Sequence, residues 1–140
     1  MIGIVIATHG AVATAFRDTA LELLGEEPPG LIALGIAEDM ERGAAWDALM
    51  ACVNEVDTGD GILVLVDMFG STPATVAMAL LAEREAEVIT GVNLAMVLRS
   101  VLKRHDHSLS SLADDVTGYG RRNVTSSAQW LSPRSLENDR

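Results

Sequence analysis

Two side chains in this 140-residue chain combine reactive chemistry with a place in the pattern that would expose it: His9 and Asp67. His9 follows the apolar run Ile2-Gly3-Ile4-Val5-Ile6-Ala7 and precedes Gly10. A neutral imidazole is a nucleophile near physiological pH. The helix expected next, Ala11 to Leu24, opens with free N–H groups and the positive end of its dipole, which suits a phosphate. Asp67 ends a second apolar run, Ile62–Val66, and begins Asp67-Met68-Phe69-Gly70-Ser71-Thr72-Pro73. A carboxylate bonded to one ring nitrogen fixes the tautomer, leaves the other nitrogen free to attack, and stabilises the positive ring that results. Thr8, Gly10, Gly70, Ser71 and Thr72 are the candidate phosphoryl-binding residues: glycines for close backbone approach, hydroxyls and amides for the oxygens. Each piece also has an ordinary reading. His9 would simply end a strand, Asp67 would cap one, and Gly70 to Pro73 would be a helix-entry turn.

These residues meet only if two strands run side by side. The continuous apolar runs Ile2–Ala7 and Ile62–Val66 read as buried parallel strands. Leu31–Ile36 and Glu87–Thr90 read as two more. Between them lie helical patterns. Val12, Phe16, Ala20 and Leu23 mark the first; Trp46, Leu49, Met50 and Val53 mark the second, with Asp39 as its expected N-cap. A third, about Thr72 to Ala82, is apolar on nearly all sides and so should be buried, with Met78 and Met96 as core filling. Leu94, Val97, Leu98, Val101 and Leu102 mark a fourth. Ser108 to about Tyr119 is a weaker fifth, because Gly118 and Gly120 oppose its extension.

Strand and helix alternate, so the expected fold class is α/β. It is an open, mostly parallel sheet covered by helices on both faces, with right-handed crossovers. Both His9 and Asp67 then fall on the carboxyl edge of that sheet, where such folds place ligands. Neighbouring strands are about 4.8 Å apart, within reach of an aspartate–histidine hydrogen bond. One domain is expected over residues 1–125. The polar, Ser-rich stretch 126–140 reads as a flexible tail.

Three blocks carry a resemblance to a known family. They are Ile4-Val5-Ile6-Ala7-Thr8-His9-Gly10, Leu65-Val66-Asp67-Met68-Phe69-Gly70-Ser71-Thr72-Pro73, and Val88-Ile89-Thr90-Gly91-Val92-Asn93-Leu94-Ala95-Met96. In order and spacing the chain resembles the mannose-family IIA domain of the bacterial phosphoenolpyruvate:sugar phosphotransferase system. The resemblance implies a phosphotransferase relay component in which His9 accepts a phosphoryl group from the carrier protein HPr. His9 would attack through Nε2, with Nδ1 facing Asp67, and pass the group to a IIB partner, in sugar uptake or as a regulatory relay. It also implies a homodimer that exchanges a C-terminal edge strand, near Arg121 to Ser126. Ser71 stands where the family usually has a second glycine; if that position needs a positive φ, serine costs strain. Ala74 and Thr75 follow Pro73 where an asparagine is common, and Ala95 replaces a frequent proline. Two other readings stay open: a subunit like the dihydroxyacetone-kinase phosphodonor, and a non-catalytic relative that binds an anion or a partner.

The rest of the composition narrows the setting. The net charge of -10 argues against a nucleic-acid partner. Residues 1–98 hold fifteen acidic and three basic side chains, residues 99–140 five and seven, so the acidity is confined to the larger part. No apolar run approaches the roughly 18 residues of a membrane span, and Ile2–Ala7 is too short for a signal-peptide core, so a cytoplasmic protein is expected. Docking to a membrane permease complex is compatible with that. Cys52, the single cysteine, reads as a buried structural thiol. His105-Asp106-His107 reads as a solvated linker. No metal site and no cofactor are expected, since there is no P-loop, dinucleotide fingerprint or metal-spaced cluster.

Overall fold

The apolar runs become strands because only a fully covered sheet can bury them on both faces. The computed structural model describes residues 1–132. Its strands β1 (Gly3–His9), β2 (Leu31–Ile36), β3 (Ile62–Val66) and β4 (Ala86–Thr90) form one parallel sheet in the order β2-β1-β3-β4. Every side chain of β3 is buried, as are Ile4, Val5 and Ile6 of β1. Alternate side chains serve opposite faces. Ile4, Ile6, Leu63 and Leu65 pack with α1 (Val12–Leu24), α4 (Leu94–Lys103) and α5 (Leu109–Arg122). Val5, Ala7, Val64 and Val66 pack with α2 (Arg42–Val56) and α3 (Thr72–Ala79).

The strand order decides where a site can be. The chain leaves β1 outward to β2, crosses back to β3, and goes on to β4 on the other side. The helices that follow β1 and β3 therefore cover opposite faces, and a crevice opens between them at the carboxyl ends of these two central strands. The other end of the sheet is tied by Arg104, which is buried at the end of α4. Its guanidinium donates to the carbonyls of Pro29 (2.6 Å), Ile2 (3.4 Å) and Gly30 (3.5 Å).

Several elements differ from the sequence expectation. The second helix takes Glu41, not Asp39, as its N-cap, without a side-chain bond; Asp39 belongs to a turn in which the Met40 N–H donates to the Ala37 carbonyl. The third helix is regular to Ala79 and ends in a 3₁₀ turn, Leu80–Ala82. It is buried on one face only: Ala74, Val76 and Ala77 are inside, but Met78 is half exposed and is not core filling, whereas Met96 is. Small alanines give that helix its apolar composition without demanding burial of its outer face.

The fifth helix runs three residues past Tyr119, through both glycines. A Cβ on Gly120 would lie 2.5 Å from Met96 Sδ, so the bare glycine is what lets α5 close on α4. Arg121 and Arg122, expected in an exchanged strand, end this helix, and the following residues to Ser126 join no strand in the single chain. The stretch expected to be a flexible tail begins with a short helix, α6 (Ser127–Trp130), held by a capping box between Ser126 and Gln129. The remainder of that stretch, 133–140, lies outside the described residues. Cys52 is half buried, and burial, then Glu55, pushes its thiol up. Among the described residues no helix is long and apolar enough to cross a membrane.

Candidate functional site at the carboxyl edge of the sheet

Ala7 and Val66 are the last paired residues of β1 and β3. Beyond them the two chains emerge side by side, and Asp67 meets His9. Asp67 Oδ2 accepts the His9 ring Nδ1–H at 2.7 Å and the His9 backbone N–H at 3.0 Å. Asp67 Oδ1 accepts the Met68 N–H at 3.0 Å. The Asp67 side chain is 17% exposed and the imidazole 42% exposed, so the carboxylate is tucked behind a ring that faces solvent. Partial burial pushes the Asp67 carboxyl up, but the two N–H groups and charge of His9, with the Met68 amide, outweigh it and hold the group below its ordinary value.

The turn after β1 is built to hold this ring. Thr8 is fully buried; its hydroxyl accepts the Ala13 N–H of α1 at 2.6 Å and lies 3.2 Å from the His9 carbonyl, to which it donates. Gly10 adopts a φ of 49°, the left-handed region that L side chains rarely enter. Its N–H donates to the Ile36 carbonyl at 3.1 Å, and its own carbonyl packs on Gly35, where a Cβ would come within 2.2 Å. The turn is thus pinned to both β2 and α1.

The turn after β3 is braced from within. Gly70 supplies the positive φ of 75°. Ser71 has φ -82° and ψ 170°, so serine carries no strain at the position where the family usually has glycine. Its hydroxyl donates to the Met68 carbonyl at 2.7 Å and caps the Ala74 amide of α3 at 3.4 Å. Thr72, the first residue of α3, is exposed.

The structure therefore brings His9 and Asp67 into contact and sets Gly10, Gly70, Ser71 and Thr72 in the two turns around them. It also redistributes the expected roles. The Thr8 hydroxyl is sealed under the turn and serves α1, the Gly10 amide serves β2, and the Ser71 hydroxyl serves its own loop. What remains for an anion beside the ring is the Thr72 hydroxyl and the first-turn amides of α1 and α3 that have no intrahelical acceptor.

The sequence reading missed two features. The capping role of Thr8 has a faint signal, a hydroxyl residue just before a helix start. Phe69, between Asp67 and Gly70, is 90% exposed, and Met68 and Val12 beside it are exposed as well. An aromatic residue inside a Gly-Ser-Thr-Pro turn was the available sign. Among the described residues no group of three or more His, Cys, Asp or Glu side chains is placed to hold a metal ion. His105 and Asp106 are exposed in the α4–α5 connection, and His107 Nδ1 lies 3.1 Å from the Lys103 carbonyl.

The profile of the EIIA-man family, described as the PTS system fructose IIA component, matches residues 3–117. The chain is 37% identical over 107 residues to the PTS system mannose-specific EIIAB component of Escherichia coli (strain K12), a match that covers 75% of this chain. It spans only 32% of the length of that relative. It is 25% identical over 132 residues to the PTS system fructose-specific EIIA component of Bacillus subtilis (strain 168), covering 94% of this chain and 90% of that one. Phosphotransferase system component EIIA from Streptococcus agalactiae has the same fold, with a TM-score of 0.79 at 28% identity over 92% of this chain and 99% of that one.

Proposed function

The chain belongs to the mannose family of IIA components of the sugar phosphotransferase system, and on that premise we propose that it is a phosphocarrier that takes a phosphoryl group from phospho-HPr onto His9 and delivers it to a IIB partner. The observation that carries this reading is the 2.7 Å bond between Asp67 Oδ2 and His9 Nδ1. A carboxylate only accepts, so the proton belongs to Nδ1, and Nε2 carries the lone pair. Nε2 attacks phosphorus as the donor's P–N bond breaks, and the donor imidazole leaves neutral. The new P–N bond forms on a ring that keeps its Nδ1 proton and becomes cationic, with Asp67 beside it to offset the charge. No proton has to move in this step.

Such a transfer passes through a loose transition state, so the protein's share is positioning and charge stabilisation. Thr8, Gly10 and Gly35 fix the turn, Asp67 fixes the ring, and the Thr72 hydroxyl with the first-turn amides receives the phosphoryl oxygens. No cofactor or metal enters this scheme. Delivery to IIB is the same reaction in reverse, which suits a donor and an acceptor that both use imidazole.

The test is incubation with phosphoenolpyruvate and the upstream carrier system. Wild type should acquire one acid-labile phosphoryl group and pass it to IIB, while His9→Ala should acquire none. Label on His9→Ala, or none on wild type, would overturn the reading. We also propose a homodimer in which the segment near Arg121 to Ser126 pairs with the partner's sheet. Two observations support it: β4 is an outer strand with β3 as its one neighbour in the sheet, and Val124 is exposed. Light scattering after size exclusion tests it, a monomer at working concentration counting against exchange.

A further inference from the structure

We propose that Phe69 anchors a protein-docking surface around His9, and that its occupant is the phosphohistidine donor, which presents an apolar recess edged by basic side chains. This rests on the reading of His9 as phosphoryl acceptor.

Phe69 is 90% exposed, yet it does not sit on a loose loop. On one side Asp67 accepts the Met68 amide, and on the other the Ser71 hydroxyl bonds the Met68 carbonyl at 2.7 Å, closing the turn beneath the ring. A large apolar side chain held out by a braced turn loses little freedom when it is covered, which is the property of an interface anchor. Met68, also exposed, adjoins it, and Val12 extends the apolar surface to the first turn of α1, on the other side of His9.

The position identifies the occupant. Phe69 is two residues from Asp67, so a body that covers it also covers the imidazole. A second copy seated there would shut His9 off; the phosphoryl donor is the molecule that has to be there.

The charges describe that donor. The turn after Ile36, whose Cα partner is His9, carries exposed Glu38, Asp39 and Glu41, with Arg42 as the first residue of α2. Arg121 and Arg122 stand on the opposite, β4 side, where the Asn93 side chain reaches the Gly120 carbonyl. The flank beside β1 is thus acidic, and a partner with basic side chains there is steered onto the apolar patch.

Two phosphoryl donors separate docking from chemistry. Phosphoramidate is small and needs no docking: its P–N bond breaks, ammonia leaves, and the Nε2–P bond forms. Phospho-HPr must dock. For Phe69→Ser we expect KM for phospho-HPr to rise at least tenfold, with the phosphoramidate rate within twofold of wild type. Charge reversal at Glu38, Asp39 and Glu41 to lysine should lower kcat/KM for phospho-HPr and weaken its dependence on salt. Equal kinetics of Phe69→Ser and wild type with phospho-HPr would overturn the proposal. So would equal losses with both donors, because Phe69 would then act on the site itself. Wild type labelled by phosphoramidate but not by phospho-HPr would make the occupant wrong. Wild type labelled by neither would sink the His9 reading first, and this one with it.

Discussion

One oxygen of Asp67, Oδ2, holds His9 twice, by its backbone N–H at 3.0 Å and by its ring Nδ1–H at 2.7 Å. The ring is tethered to its own main chain through a carboxylate, which removes rotational freedom about Cα–Cβ and aims Nε2 outward. The second oxygen is fixed by the Met68 amide, so the carboxylate cannot swing away.

Replacing Asp67 should therefore damage chemistry more than folding. Asp67→Ala leaves the ring free to turn and without a counter-charge. Transfer from phospho-HPr should fall on the order of 10²-fold or more, the scale of losing an orienting acid–base group. Rapid-quench measurement of labelled protein gives the rate, and an unchanged circular dichroism spectrum shows that the fold persists.

The same contact predicts a pH dependence. The Asp67 carboxyl is held below its ordinary value of 3.8 in the folded protein. A group lowered on folding contributes stability that is fully present above the unfolded value and is lost as pH falls through the folded one. The stability difference between wild type and Asp67→Asn should thus be constant from about pH 5 to 8 and shrink below about pH 4. Urea unfolding across this range measures it; a difference that grows toward low pH would contradict the contact.

Gly35 tests the turn from outside the site. A Cβ there would lie 2.2 Å from the Gly10 carbonyl, a backbone atom that cannot move aside alone. Gly35→Ala should cost about 1–3 kcal/mol, the range for overpacking a close contact. It should also slow transfer, since the turn that carries His9 must shift. Thermal melting and the transfer rate together decide; a variant with normal stability and a normal rate would show that the turn has slack.

Thr8→Val separates support from chemistry at a buried position. The valine keeps the shape but leaves the Ala13 amide without its 2.6 Å acceptor. A loss of about 1–2 kcal/mol is expected, as for a lost helix cap or an unsatisfied buried donor. Denaturant unfolding reads it. If the Thr8 hydroxyl touched the phosphoryl group instead, the rate would collapse while stability stayed near wild type.

Much of this was readable from residue order. Parallel strands buried on both faces are continuous apolar runs, so β1 and β3 announced themselves, and with them the placing of His9 and Asp67 on one edge. What escaped depends on contacts between distant segments. Gly118 and Gly120 argue locally against a helix, and only the packing of Met96 on Gly120 explains why α5 continues through them. Likewise Ser71 looked strained under an assumed positive φ, but the turn puts that angle on Gly70 and leaves Ser71 to brace and cap. The hydroxyl of Thr8 was assigned outward because its neighbour His9 faces outward; successive strand residues point to opposite sides, and Thr8 went inward.

His9 and Asp67 are 58 positions apart, and the strand between them in sequence lies on the far side of β1. A ribosome must finish β2, both intervening helices and β3 before the imidazole can find its carboxylate. Until then the histidine is an ordinary one, and a nascent or clipped chain cannot compete for phosphate with the finished protein.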